Sequence, residues 1–177
     1  MAKKEIRPIR VEGNIAFVPL TQGYEAVIDA LDVPRVSGCN WAALVARRSD
    51  GRLRSVYAIR SLPRVNGKQS IQWMHRVIAG TADGFETDHK DSNGLNNARA
   101  NLRTATRQEN SLNNRKRSDN KSGVKGVRWH KKDKKWVAQI RHCGTCLHLG
   151  NFTCRTAAAV AYAVASAKLH KEFGRIA

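Results

Sequence analysis

Between residues 85 and 110 the chain sets an aspartate beside a histidine, Asp88-His89, and follows them with asparagines at 93, 96, 97, 101 and 110. Residues of these types serve one kind of chemistry. Neutral imidazole, with a pKa of about 6.5, accepts a proton near neutral pH. Carboxylate and amide oxygens are the donors that hard divalent cations prefer. Adjacent residues of a regular strand point to opposite faces, so Asp88 and His89 address one site only where a strand gives way to a turn. Asp91-Ser92-Asn93-Gly94 is a strong turn signal, because Asn-Gly tolerates positive φ. From Thr104 to Arg115 the sequence favours a helix, with Thr104 as cap and Ala105, Gln108, Glu109 and Leu112 along it. Asn110 projects from that helix.

This pattern resembles the HNH endonucleases, particularly the phage and intron homing type with a β-β-α metal fold. The resemblance rests on Asp88-His89, an asparagine twelve residues past the histidine, Asn101, and another twenty-one past it, Asn110, in Asn-Leu-Arg and Glu-Asn contexts. Trp73-Met74-His75-Arg76-Val77-Ile78 looks like the His-Arg-aliphatic run that usually introduces the motif. The resemblance implies that His89 is a general base and that Asn101 orients His89 or the loop that carries it. It also implies that Asp88 and the amide oxygen of Asn110 hold a divalent cation, Mg²⁺ or another such as Mn²⁺. His75 and Arg76 are expected in structural or phosphate-contacting roles. Asn96 and Asn97 read as side chains that hold the turn.

The elements that must position these groups are small. The chain has 177 residues, 32 Lys+Arg against 14 Asp+Glu, and a net charge of +18. Its length excludes a large multi-domain enzyme, and its charge points to a polyanion, of which nucleic acid is the commonest inside a cell. No stretch approaches the roughly 20 apolar residues of a membrane span, and the amino end has no apolar signal core, so a soluble, cytoplasmic protein of a bacterial or phage-infected cell is expected. Residues 1–74 alternate short β-type runs with turns, as in Ile15–Leu20, Tyr24–Ile28, Trp41–Val45 and Ser55–Ile59, and read as a β-rich scaffold. Residues 75–112 carry the nuclease motif. Residues 113–123 have no apolar side chain to bury and read as a basic linker or strap along phosphates.

Residues 123–177 hold 11 basic and 2 acidic groups. Three runs there alternate apolar with basic or polar residues, predicting three strands, and an Ala-rich stretch from Thr153 to about His170 predicts a helix packed on them. Over residues 124–177 this resembles the APETALA-two/ethylene-response-factor DNA-binding domain, through Gly126-Val127-Arg128, Trp136-Val137-Ala138-Gln139-Ile140-Arg141, Leu149-Gly150-Asn151-Phe152 and the Ala-Ala…Ala-Tyr helix. The likeness implies a sheet face in the major groove of double-stranded DNA, with Lys125, Arg128, His130, Gln139, Arg141 and His148 at the contact positions. His130 and His148 depart from the usual Arg and Trp. His142, Cys143, Cys146 and His148 have knuckle-like zinc spacing, but alternation on strands flanking a tight turn sends some of these side chains to opposite faces, so structural zinc is not expected.

The sequence therefore predicts an α+β chain acting as a metal-dependent, site-directed DNA endonuclease. No membrane or small-molecule substrate is expected. The alternative is a DNA-binding regulator that does not cut.

Overall fold

The computed structural model of the chain describes residues 5–113, 116 and 119–174. The chain divides into two compact units, Met1–Thr106 and Arg107–Ala177. Among the described residues it carries four α-helices and four small antiparallel sheets.

In the first unit, β1 (Arg10–Glu12), β2 (Ile15–Pro19) and β3 (Glu25–Asp29) form one meander. A short helix α1 (Val33–Val36) leads to β4 (Ala42–Arg47), β5 (Leu53–Ser61) and β6 (Ile71–Trp73), a second three-stranded sheet. Helix α2 (Met74–Ala79) follows directly and ends at Gly80, in the left-handed conformation that commonly closes a helix. Then β7 (Glu86–His89) pairs with β8 (Leu102–Ala105), placing His89 opposite Leu102 and Asp88 opposite Arg103.

Alternation in β2, β3, β4 and β5 turns Ala16, Val18, Ala26, Ile28, Ala43, Val56 and Ala58 inward. They share one core with Trp41, Met74, Ile78 and Leu102. The expected boundary at residue 74 thus falls inside a compact unit, because the amino-terminal strands and the helix preceding the motif bury the same apolar surface. Asp32 ties the two stretches further. Its carboxylate is 1% exposed and accepts from Arg99 Nε at 2.7 Å and Nη2 at 2.6 Å, while Asp29 accepts from the Arg99 backbone N–H at 2.8 Å. Arg99 is about half exposed and Arg35 also reaches Asp32, at 3.2 Å, so the buried carboxylate is held by two arginines from its outer side.

One expectation is corrected. The helix does not begin at Thr104: Thr104 and Ala105 are the end of β8, with Thr104 opposite Thr87 and Ala105 buried. Local helix propensity across Thr104-Ala105-Thr106 is overridden by the ladder to β7.

The second unit begins with α3 (Arg107–Leu112), which carries Asn110. Strands β9 (Val127–His130), β10 (Lys135–His142) and β11 (Thr145–Phe152) form an antiparallel sheet in the order β11-β10-β9. Helix α4 (Arg155–Leu169) packs Ala158, Tyr162, Ala161, Ala165 and Leu169 against Val127, Ala138 and Ile140. Cys154 caps it, its Sγ accepting from the Ala157 N–H. Gly126 has a positive φ of +66°, and a Cβ there would run into the Gln139 carbonyl and the Tyr162 ring, so glycine is required on two grounds. Of the expected linker, residues 114, 115, 117 and 118 lie outside the described residues. Its end is a folded turn: Asn120 Oδ1 accepts from the N–H groups of Ser122 and Gly123, both at 3.0 Å, and from Ser122 Oγ at 2.8 Å.

Candidate active site and nucleic-acid face

The asparagines after His89 build a loop whose hydrogen bonds close on Asp91. Asp91 Oδ1 accepts from the Asn93 N–H at 2.8 Å and Asn101 Nδ2 at 2.9 Å, and Oδ2 accepts from Asn96 Nδ2 at 2.8 Å. Burial pushes the Asp91 carboxyl up, but the bonds from Asn93, Asn96 and Asn101 outweigh it and hold the group below its ordinary value. Asn101 Oδ1 accepts the Asp91 N–H at 3.1 Å, and Asn101 Nδ2 also donates to the Asn96 carbonyl at 2.7 Å. Through these bonds Asn101 ties the loop together.

The positive φ of this turn falls at Ser92 (61°), not at the Asn93-Gly94 pair. Gly94 is needed for another reason: a Cβ there would collide with the Val56 carbonyl and the Tyr57 ring. The loop lies against β5 at that point.

His89 ends β7 and is 5% exposed. Its Nε2 lies 3.1 Å from Asn97 Oδ1, and Asn97 is fully buried. The His89 ring stands edge-on to His75, with centroids 5.0 Å apart, and 5.9 Å from Tyr57; Tyr57 and Trp73 both pack on His75. Burial holds the His89 imidazole below its ordinary pKa, against the opposing pulls of the Asn97 hydrogen bond and the Asp91 and Asp88 carboxylates. The ring is neutral near pH 7, as a proton acceptor must be.

Asp88, 6% exposed, is paired with Arg103. Arg103 Nε and Nη2 donate to Asp88 Oδ2 at 2.9 and 2.7 Å. The pair holds positive charge at the carboxylate expected to bind a cation, and the donor chemistry fits a hard, oxygen-preferring ion. Among the described residues no three His, Cys, Asp or Glu side chains converge on a metal position. Asn110 lies on α3, in the other compact unit. Arg76, expected near phosphate, uses its guanidinium on the Phe85 carbonyl at 2.8 Å and on those of Thr81 and Ala82 at 3.5 Å.

His75 is buried, and among the described residues its Nδ1 has no hydrogen-bond partner. Burial first, then neighbouring His89 and Arg76, push its pKa down to about 3. The unfolded chain therefore binds one more proton than the native one between about pH 6.5 and 3. The stability that neutral His75 contributes is complete above that window and declines as pH falls through it, by about 2 kcal/mol at about pH 5. Urea unfolding of the wild type and His75→Gln at about pH 7 and 5 tests this, the variant losing less stability by about that amount.

In the second unit, strand register sorts the expected contact residues. Val137 pairs with Arg128, Lys135 with His130, Gln139 with His148 and Arg141 with Cys146, so Arg128, His130, Gln139, Arg141 and His148 share one face. The opposite face, with Ala138 and Ile140, meets α4. Lys125 lies outside the strands and its Nζ donates to the Leu112 carbonyl at 2.9 Å, at the end of α3. His130 faces Asp133 at 3.1 Å. Trp129 and Trp136 pack edge to face on each other, with Trp129 44% exposed. Cys143 occupies the β10–β11 turn and Cys146 shares the Arg141 face, both exposed.

A strand-end aspartate–histidine pair, with its loop closed by asparagines, sits in the stretch that comparison with protein families picks out. Residues 72–112 match the HNH endonuclease family. This HNH domain contains α2, β7, the asparagine loop, β8 and α3. The chain is also 42% identical over 57 residues to Protein 3.8 of Escherichia phage T7, an alignment covering 32% of this chain and 47% of that protein. It thus spans about half the length of that relative. No solved structure is detectably similar. No helix among the described residues is long and apolar enough to cross a membrane.

Sequence reasoning missed three participants. Asn97 was read as a turn holder; Arg103 and Tyr57 carried no assignment. For Arg103 a signal was present, since antiparallel pairing puts residue 103 across from Asp88 once Leu102 is set opposite His89.

Proposed function

We propose that the chain is a phage-encoded, metal-dependent DNA endonuclease that hydrolyses phosphodiester bonds in double-stranded DNA. The observation that carries this reading is the buried His89, bonded to Asn97 beside the Asp88–Arg103 pair, inside the HNH domain. His89 takes a proton from water as the water oxygen forms its bond to phosphorus and the bond to the leaving oxygen breaks. The Asp91-centred loop keeps His89 at the strand end, and Tyr57, Trp73 and His75 exclude water from its inner side. Asp88 would supply a carboxylate oxygen to the metal, which when bound would neutralise phosphate charge and the departing oxyanion. Oxygen donors of low total charge favour Mg²⁺ or Mn²⁺.

The carboxyl-terminal sheet is the target-reading module in this proposal, an ERF-type domain over residues 124–177, as in a homing enzyme. Support comes from the shared face of Arg128, His130, Gln139, Arg141 and His148 and from the charge of residues 123–177. Arg128→Ala or Arg141→Ala is expected to relax site preference by about 1–3 kcal/mol per lost base contact, read by binding selection from a randomised duplex library. Unchanged preference removes the sheet from the reading role.

The deciding experiment incubates the chain with supercoiled plasmid and Mg²⁺ or Mn²⁺, with chelator as control. Metal-dependent nicked circles are expected. Binding without nicking under either ion would leave a DNA-binding regulator in place of an enzyme.

A further inference from the structure

The amino-terminal sheet meets the HNH domain at the loop beyond His89. The Val27 N–H of β3 donates to the Leu95 carbonyl at 2.8 Å, and the Val27 carbonyl accepts the Asn97 N–H at 2.7 Å, making a parallel bridge between Val27 and Asn96. This fixes the Asn97 backbone. Its side chain is fixed as well, since Nδ2 donates to the Leu95 carbonyl at 3.3 Å and to Met74 Sδ at 3.7 Å, turning Oδ1 toward His89 Nε2. An amide oxygen only accepts. The proton of neutral His89 is therefore on Nε2, and the ring lone pair on Nδ1.

We propose that Asn97 is a positioning residue for the catalytic histidine, locking His89 as its Nε2–H tautomer so that Nδ1 takes the proton from water, with β3 holding Asn97 in place. The proposal rests on the reading of His89 as the base. A base in the wrong tautomer has no lone pair toward its substrate, and in catalytic triads loss of the orienting group's correct hydrogen bonding costs about 10⁴-fold in rate. An amide fixes the tautomer without adding a second negative charge beside Asp88. It also gives residues 1–74 a task beyond scaffolding: their strand is the outer wall of the histidine's support.

The test is a long-range ¹H–¹⁵N correlation spectrum of the full chain labelled at histidine, recorded above the ordinary histidine pKa. His89 is expected as a single Nε2–H species whose Nε2 proton is protected from solvent exchange. Asn97→Leu, of similar volume but without an acceptor, is expected to mix the tautomers and expose that proton, and to lower kcat for nicking by about 10–100-fold with KM for DNA unchanged. Asn97→Asp, which keeps an acceptor oxygen, retains the Nε2–H pattern. An Nδ1–H pattern in the wild type, or an unaltered spectrum and kcat in Asn97→Leu, overturns the proposal. Should Asn97→Leu not fold, the wild-type spectrum alone decides. A pure Nε2–H spectrum from a chain that nicks nothing upholds the Asn97 lock and sinks the nuclease reading.

Discussion

His89→Ala is expected to slow metal-dependent nicking by about 10²–10⁴-fold, the usual share of a positioned general base, while retention of duplex DNA is unchanged. Binding survives because the groups proposed to hold DNA are the arginines and polar side chains of the carboxyl-terminal sheet. The truncation leaves Asn97 Oδ1 without its partner at a fully buried position, which costs about 1–3 kcal/mol. The variant should therefore melt earlier yet remain folded, checked by circular dichroism under the assay conditions. Asp88 is a poorer probe of the same chemistry. Removing its carboxylate takes a two-nitrogen partner from the buried Arg103 guanidinium, 9% exposed, so lost activity would mix chemistry with folding. Nicking by His89→Ala within a few-fold of wild type would remove His89 from the role of base.

What the sequence disclosed follows the range of the interactions involved. Strands β2, β3, β4, β5, β10 and β11 were legible because one buried face imposes a period of two on their residues. Helix α4 was legible through apolar spacing on an alanine-rich stretch. Asp88, His89 and Asn101 could be singled out because their spacing lies within one short stretch of sequence. The end of β8 was misread, since Ala105 looks helical until its partner Glu86, nineteen residues away, is known. The Asp32–Arg99 pair spans 67 residues and the Val27–Leu95 bond 68, and neither leaves a pattern in either stretch alone. The contacts that support the loop beyond His89 were thus hidden from local sequence patterns. Asparagine at 97 resembles its neighbours at 93, 96 and 101 in composition. The bonds from Nδ2 to the Leu95 carbonyl and Met74 Sδ, which turn Oδ1 to His89, set it apart.

Gly94→Ala tests that hidden support directly, and it should be the most damaging small substitution in the first unit. A Cβ at this position would sit 2.5 and 2.6 Å from Tyr57 Cδ1 and Cε1 and in collision with the Val56 carbonyl, all on β5 in the middle of its sheet. Neither neighbour yields cheaply. The carbonyl belongs to a strand laddered to β4 at Val45, and the Tyr57 ring is packed on Trp73, His75 and His89. The loop must move away instead, and it carries Leu95 and Asn97, whose bonds to Val27 join it to β3. The expected cost is about 3 kcal/mol, at the upper end for one added methyl group in a packed site. Nicking should fall with it, since the Asn97–His89 bond depends on the same loop. Gly51→Ala is the matched control. Its φ of +78° gives the new side chain backbone strain, yet nothing lies within 4 Å of the added Cβ, so a loss of about 1 kcal/mol and normal nicking are expected. Urea midpoints read alongside nicking rates separate the two. Equal destabilisation by both variants, with nicking intact in each, would mean that the loop carries His89 without needing its seat on Tyr57.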